Sequence, residues 1–230
     1  MKHLLRLRCL LLVGLLLSSV GPAWSKPQEK GSSHGHHDFS DVEKWIERFE
    51  DPSRDVWQKP EKVIEKLALE PGMNVADIGA ASGYFARRMA LAVSPGGLAL
   101  AVDIEPSFFP YVIERAYKEG QYNLFTVEGL PDDPRLPPKS LDLILIVDTL
   151  HHIAERPAYY ARLKEGLRGA GRVVVVDFKK DEVIPVGPGP EMRLRAEDVQ
   201  AEFEAAGFSV EVDRETLDYQ YILTATLKRS

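Results

Sequence analysis

Among the 230 residues there is one cysteine, Cys9, and it lies within the first 25. The rest of the chain therefore offers no thiolate as a nucleophile or metal ligand. Positive charge is also short: 29 Lys and Arg stand against 35 Asp and Glu, a net charge of -6, and no Lys/Arg cluster stands out. A phosphate backbone demands a basic footprint, so nucleic acid is excluded as a partner. Long apolar runs are scarce too. The stretch from Cys9 to about Val20 is too short to span a bilayer comfortably. No repeat period is found. What remains, 44% hydrophobic and 28% charged residues, is ordinary for a globular protein with one main domain and one good-sized core.

Residues 1–25, "MKHLLRLRCLLLVGLLLSSVGPAWS", run from a basic start (Lys2, Arg6, Arg8) through the apolar stretch to small residues, the pattern of a secretory signal peptide. Ala23 and Ser25 suit the positions before a cleavage point, so the mature chain is expected to begin near Lys26, outside the cytoplasm. It would be secreted or periplasmic, with no stable membrane span. Cys9 precedes the apolar run, which misplaces it for a lipoprotein cysteine. Removing the three basic residues takes the net charge to about -9. Residues 26–40, "KPQEKGSSHGHHDFS", lack apolar periodicity and read as a flexible linker. His34, His36 and His37 are candidate metal ligands there, but no cysteine or acidic cluster completes a site, and a solvated tail is the plainer reading.

Residues 41–230 form the expected domain, with a helical cap over 41–70. "DVEKWIERF" places Val42, Trp45, Ile46 and Phe49 on one helical face, and "PEKVIEKLAL" carries Pro60 in its first turn. Strands and helices then alternate. Strands are expected at Asn74 to Ile78, Leu98 to Asp103, Asn123 to Val127, Leu141 to Val147 and in "GRVVVVDF"; helices are expected from Ser82, from about Pro106, and at Pro157 to Leu167. Such alternation predicts an α/β sheet with helices on both faces and a ligand site at the carboxyl ends of the strands. After the helix "AEDVQAEFEAAG", the segments "FSVEVD" and "DYQYILTATLK" follow with no helix between them. A connection that short requires antiparallel pairing, which makes a mixed sheet of seven strands.

"VADIGAASGYFARRMA", Val75 to Ala90, sets Asp77 and two glycines on the turn between the first strand and its helix. A dinucleotide fold uses a similar turn but lays a pyrophosphate on it, and Asp77 would repel that group. S-adenosylmethionine has no phosphate and carries both an ammonium and a sulfonium, which a carboxylate there would hold. Asp103 closes the next strand, where an acid can accept hydrogen bonds from two ribose hydroxyls.

With "VADIGAASG", "AVDIEP", "SLDLILIVDTLHHI" and "LRGAGRVVVVDF" in this order, the chain resembles the class I S-adenosylmethionine-dependent methyltransferases from about Trp57 to Lys228. The resemblance implies a Rossmann-like sheet of strand order 3-2-1-4-5-7-6. It also implies Asp77, Gly79 and Gly83 at the methionine end of the cofactor and Asp103 at its ribose, with Ala81, Ile104, Gly129, Leu130 and Asp148 among the cofactor contacts. Two departures stand out. Ala81 replaces a glycine common in relatives, which narrows backbone freedom. The position facing adenine after the third strand reads Glu128, Gly129, Leu130, Pro131, Asp132, so Asp132 or a backbone group is the substitute.

Arsenic and cytosine C5 methylation need cysteines that are missing, and "VDTLHHI" lacks the signature of DNA amino-methylation. A small-molecule acceptor remains, less readily a protein side chain. Asp148, His151 and His152 are the candidate catalytic groups, with His152 weighed above His151 as a general base and packing as the alternative for both. Trp57 to Pro60 ("WQKP") is a candidate cover for the cofactor, and Met192 with Arg193 a candidate acceptor wall. Tyr159 and Tyr160 read as helix packing. Two rival functions stay open. One is a metal-assisted O-methyltransferase holding magnesium on Asp148 and Asp177, although Phe178 stands where Asn is expected. The other is an exported protein that binds the cofactor without turnover.

Overall fold

The computed structural model describes residues 41–228. The signal, linker and three-histidine expectations fall on residues 1–40, outside the described residues. Three short helices come first: α1 (Val42–Phe49), α2 (Ser53–Gln58) and α3 (Pro60–Lys66). The alternating body follows as β1 (Asn74–Ile78), α4 (Tyr84–Ala92), β2 (Leu98–Asp103), α5 (Phe109–Lys118), β3 (Leu124–Glu128), β4 (Leu141–Val147), α6 (Arg156–Gly166), β5 (Leu167–Phe178), α7 (Ala196–Ala205), β6 (Phe208–Asp213) and β7 (Gln220–Leu227). The seven strands among the described residues form one sheet of order β3-β2-β1-β4-β5-β7-β6. Pairing is parallel from β3 through β5, while β7 runs antiparallel to both β5 and β6.

The strands are apolar nearly throughout because both faces are covered. Alternate side chains point to opposite faces. Val75, Ala99, Ala101, Leu143, Leu145, Val174 and Val176 pack with Phe85, Met89 and Val112 from the α4 and α5 side. Ala76, Leu100, Val102, Ile144, Ile146, Val173 and Val175 pack with Tyr160, Leu163, Val199 and Phe203 from α6 and α7. Tyr160 stacks on Phe203 with centroids 4.0 Å apart, so the packing role read for Tyr159 and Tyr160 describes both; each is buried.

Several boundaries differ from expectation: α6 runs one residue earlier at each end than Pro157 to Leu167, and β7 is shorter than "DYQYILTATLK". The helix expected from Ser82 begins at Tyr84, because Gly83 adopts φ 76 and ends the turn. The third strand starts one residue late, at Leu124, and the Asn123 side-chain amide donates to the carbonyls of Ala90 (2.8 Å) and Gly97 (3.0 Å). β5 begins at Leu167, four residues before "GRVVVVDF".

The site-bearing end of the sheet is drawn together by Gly79. Its φ is +72, and a Cβ there would lie 2.3 Å from Thr149 Oγ1 and 2.5 Å from Thr149 Cγ2. This close approach joins the end of β1 to the segment after β4. Gly120 has nearly the same φ, +75, with nothing within 4 Å of a Cβ, and serves as its control. Gly120→Ala is expected to cost only the left-handed penalty, about 1–2 kcal/mol. Gly79→Ala is expected to cost roughly a further 1–3 kcal/mol for the clash. Urea unfolding of both variants checks this, and equal losses would refute the close-approach argument.

Candidate functional site

The turn from Gly79 to Gly83 joins β1 to α4 at the position where the strand order reverses between β1 and β4, the usual crevice of an open α/β sheet. Asp77 sits at its entrance, 3% exposed. Burial raises its pKa to about 7, against the opposing pull of the Ala86 backbone N–H and the Arg54 charge. Ala86 supplies one of the donors that the first turn of a helix leaves unpaired. Gly83 is hemmed in as well: a Cβ there would lie 3.0 Å from Val112 Cγ1.

Ala81 adopts φ 44, the left-handed region that a glycine would enter without strain. Its N–H donates to Asp103 Oδ2 at 2.7 Å, and the Glu105 N–H donates to Asp103 Oδ1 at 2.9 Å. The carboxylate keeps acceptor capacity for a further donor such as a hydroxyl. Burial moves the Asp103 pKa upward, with the N–H groups of Glu105, Ala81 and Ile104 opposing it. Beside it, the Gly129 N–H donates to the Asp103 carbonyl at 2.9 Å, and Leu130 bridges to Asp133. Ile104 and Leu130 expose 48% and 37% of their surface, giving this rim an apolar, accessible edge. Asp132, the candidate substitute facing adenine, is exposed.

A second polar group lies across the reversal point, at the ends of β4 and β5. Asp148 holds φ 51, a left-handed position tolerated by Asp better than by most residues. Its N–H donates to the Val176 carbonyl at 2.9 Å, and its Oδ1 accepts from the Gln220 amide. Burial raises its pKa to about 7, although the Arg54 charge pulls it down. His151 lies on the one-turn 3-10 helix Leu150–His152. Its Nδ1 is 3.0 Å and 3.1 Å from the two oxygens of Asp177. Asp177 is fully buried and also accepts its neighbour's Phe178 N–H at 2.8 Å. Burial disfavours the charged imidazole, but Asp177 and Asp148 outweigh it, so the His151 pKa is raised.

His151, whose Nδ1 faces Asp177, has 3% of its side chain exposed, whereas His152 is exposed and packs its ring 4.2 Å from that of His151. Among the described residues, no group of three or more His, Cys, Asp or Glu is placed to hold a metal ion; Asp177 engages His151 instead. Arg193, read as acceptor wall, is buried and spends its guanidinium on the carbonyls of Pro188 (2.8 Å), Glu182 (3.1 Å) and Lys179 (3.5 Å). It braces its own loop.

Two side chains at the site, Arg54 and Gln220, have no counterpart among the candidates read from the sequence, and Gln58 stands among them only as part of "WQKP". Arg54 on α2 reaches to 3.8 Å from Asp148 Oδ2. Gln58, fully buried, donates its amide to Gln220 Oε1 at 2.7 Å. Gln220 completes the chain to Asp148. Trp57 beside them packs on Phe178 with centroids 5.7 Å apart, so "WQKP" lies against the ends of β5 and β7.

A sequence model described as a methyltransferase domain matches residues 76–173. The chain is 26% identical over 126 residues to phosphoethanolamine N-methyltransferase 1 of Arabidopsis thaliana, a stretch covering 53% of this chain and 24% of that one. It is 29% identical over 119 residues to a ubiquinone/menaquinone biosynthesis C-methyltransferase of Burkholderia vietnamiensis, covering 51% and 48%. The chain therefore spans less than half the length of these relatives. The crystal structure of a SAM-dependent methyltransferase from Aquifex aeolicus matches with a TM-score of 0.75 at 28% identity, over 82% of this chain and 99% of that one. The domain match, the strand order and this structural likeness support a class I S-adenosylmethionine-dependent methyltransferase.

The buried acids give the ligand-free protein a defined pH response. Asp77 and Asp148 titrate near 7 when folded, above the unfolded carboxyl value of about 4, so the native state binds more protons across that window. Stability should fall as pH rises from about 4 to 7. His151 adds the same sign, its contribution being lost as pH rises through its elevated pKa. Melting temperature is expected to be higher at about pH 5 than at about pH 8, and Asp148→Asn should flatten the slope. A midpoint rising across this window would contradict the assignment.

Proposed function

We propose that this chain transfers the methyl group of S-adenosylmethionine to a small-molecule acceptor. The observation that carries this reading is the pair of carboxylates, Asp77 and Asp103, ending adjacent parallel strands on either side of the Gly79–Gly83 turn. The residues fit such a cofactor. Asp77 suits a cationic group and repels a phosphate, and Asp103 retains acceptor capacity for a hydroxyl. Gly79, Ala81, Gly83, Ile104, Gly129 and Leu130 line the turn and rim around them. When bound, the cofactor supplies an electrophilic methyl group on a sulfonium.

The chain's own work is then positioning, charge and proton transfer. Holding a nucleophile in line with the methyl group in a dry site supplies most of the acceleration. Where the acceptor must lose a proton, His151 is the candidate base. Asp177 accepts the Nδ1 hydrogen and so leaves Nε2 as the basic nitrogen, while its charge stabilises the protonated ring. Asp148, joined to Gln220, sits between this pair and the cofactor side. The relatives are named for N-methylation of phosphoethanolamine and for C-methylation in ubiquinone/menaquinone biosynthesis, which supports a small-molecule acceptor.

Calorimetry should detect S-adenosylhomocysteine binding, weakened by roughly 1–3 kcal/mol in Asp103→Ala. Tighter binding of NAD would overturn the reading. Incubation with labelled S-adenosylmethionine and a metabolite extract, followed by mass spectrometry, identifies the acceptor. With that acceptor, His151→Ala should lower turnover about 100-fold or more with cofactor affinity near normal, and His152→Ala far less. Equal small effects would remove His151 from the chemistry. Binding with no labelled product from any extract would favour the non-catalytic binding protein.

We also place the protein outside the cytoplasm, on the strength of the signal pattern in residues 1–25 and the absence of cysteine after Cys9. N-terminal sequencing of the native protein is expected to start near Lys26. Full-length chain recovered from the cytosol would contradict export.

A further inference from the structure

Arg54 is a largely buried guanidinium with no close acid. Its side chain is 14% exposed, and the one carboxylate within 4 Å of it among the described residues is Asp148, at 3.8 Å. Its hydrogen bonds, to Gln58 Oε1 and the Phe49 carbonyl, are all 3.3–3.4 Å, longer than the roughly 2.7–2.9 Å of well-made charge-assisted bonds. Arg156 shows the contrast, gripping both oxygens of Glu202 at 2.8 Å and 2.7 Å.

The guanidinium is nonetheless held in place. Its central carbon lies 4.1 Å from the centroid of the Tyr84 ring and 5.9 Å from that of Phe85, a cation over aromatic faces. Tyr84 is itself fixed by the bond from its hydroxyl to Asp55, one residue after Arg54. Gln58, one helical turn on, is pinned to Gln220. Donors are thus positioned in advance at the β1/β4 reversal point, and their charge reaches both Asp77 and Asp148. Neighbouring cations are already engaged: Lys59 with Asp218 at 2.6 Å, and Arg193 with carbonyls of its own loop.

A buried guanidinium with only long contacts is costly to fold, and its planar fork of donors matches a carboxylate. The amino-acid end of S-adenosylmethionine is a zwitterion, and Asp77 can answer only its ammonium. We propose that Arg54 receives the carboxylate at that end of the cofactor, which makes α2 part of the binding site. The proposal rests on the cofactor reading given above.

Two ligands that differ only in this group test it: S-adenosylhomocysteine and decarboxylated S-adenosylhomocysteine, titrated calorimetrically into wild type, Arg54→Gln and Arg54→Lys. Arg54→Gln is expected to weaken the first about tenfold to a hundredfold and leave the second within about twofold. Arg54→Lys, which keeps the charge but not the fork, should fall between for the first ligand alone. Equal losses for both ligands would show that Arg54 only packs on Tyr84, and would overturn the proposal. So would unchanged or tighter binding of both, which would mark Arg54 as a plug displaced by the ligand. If Arg54→Gln does not fold, Arg54→Lys carries the same comparison: a loss for the first ligand alone supports the proposal, and any other pattern overturns it. Wild type binding neither ligand would instead overturn the cofactor reading, and this proposal with it.

Discussion

A carboxylate buried near the end of β1 must be answered by something, and the architecture around Asp77 is organised by that need. Its strand neighbours Ala76 and Ile78 point into a dry core. What opposes the burial is the Ala86 N–H at the start of α4 and the charge of Arg54. Neither neutralises it fully, so the carboxyl is held near 7 in the ligand-free state. A cationic ligand is favoured there because it supplies what the fold leaves wanting.

Three short helices are also fastened over this end of the sheet. Glu50, just past α1, accepts from Ser82 at 2.7 Å and from Arg87 at 2.6 Å. Asp55 holds the Tyr84 hydroxyl, and Lys59 holds Asp218 before β7. These contacts join residues before the domain's first strand to the first turn of α4 and to the last hairpin. The partly buried acid and base pairs among them resist loss better than exposed ones, which contribute little. Arg54 and Gln58 are thereby positioned by a segment with its own anchorage, independent of the polar residues they touch.

Much of this is legible in the sequence. The ends of β1, β2 and β4 are marked by apolar runs closed by Asp77, Asp103 and Asp148, and the missing crossover after "FSVEVD" dictates the antiparallel pair. What escapes has no local signal. Gln58 and Gln220 are 162 positions apart, and α2 is only six residues long, too short for a periodic pattern to declare a face. His151 and His152 are adjacent in a single 3-10 turn, and nothing in "LHHI" says which ring turns toward β5. Asp177 stands out in the sequence only as a metal ligand, because its hydrogen bond to His151 depends on the pairing of β4 with β5. Arg193 misleads for the opposite reason. Its position at the ligand-facing end suggests contact with an acceptor, whereas a Pro- and Gly-rich loop without regular hydrogen bonds needs an internal donor to hold its carbonyls.

The final hairpin reaches the same crevice because of its direction. In a parallel sheet, each strand presents the residue at its own carboxyl end to the ligand crevice, which is how Asp77, Asp103, Asp148 and Asp177 arrive there. β7 runs the other way, with Gln220 opposite Phe178 and Tyr221 opposite Asp177, so it contributes its first residue to the same crevice. An amide at that place both donates to Asp148 and accepts from Gln58. It therefore couples the end of β4 to the N-terminal helix that carries Arg54. Were β7 parallel, residues near Leu227 would occupy this end, and α2 would lose its buried link to Asp148.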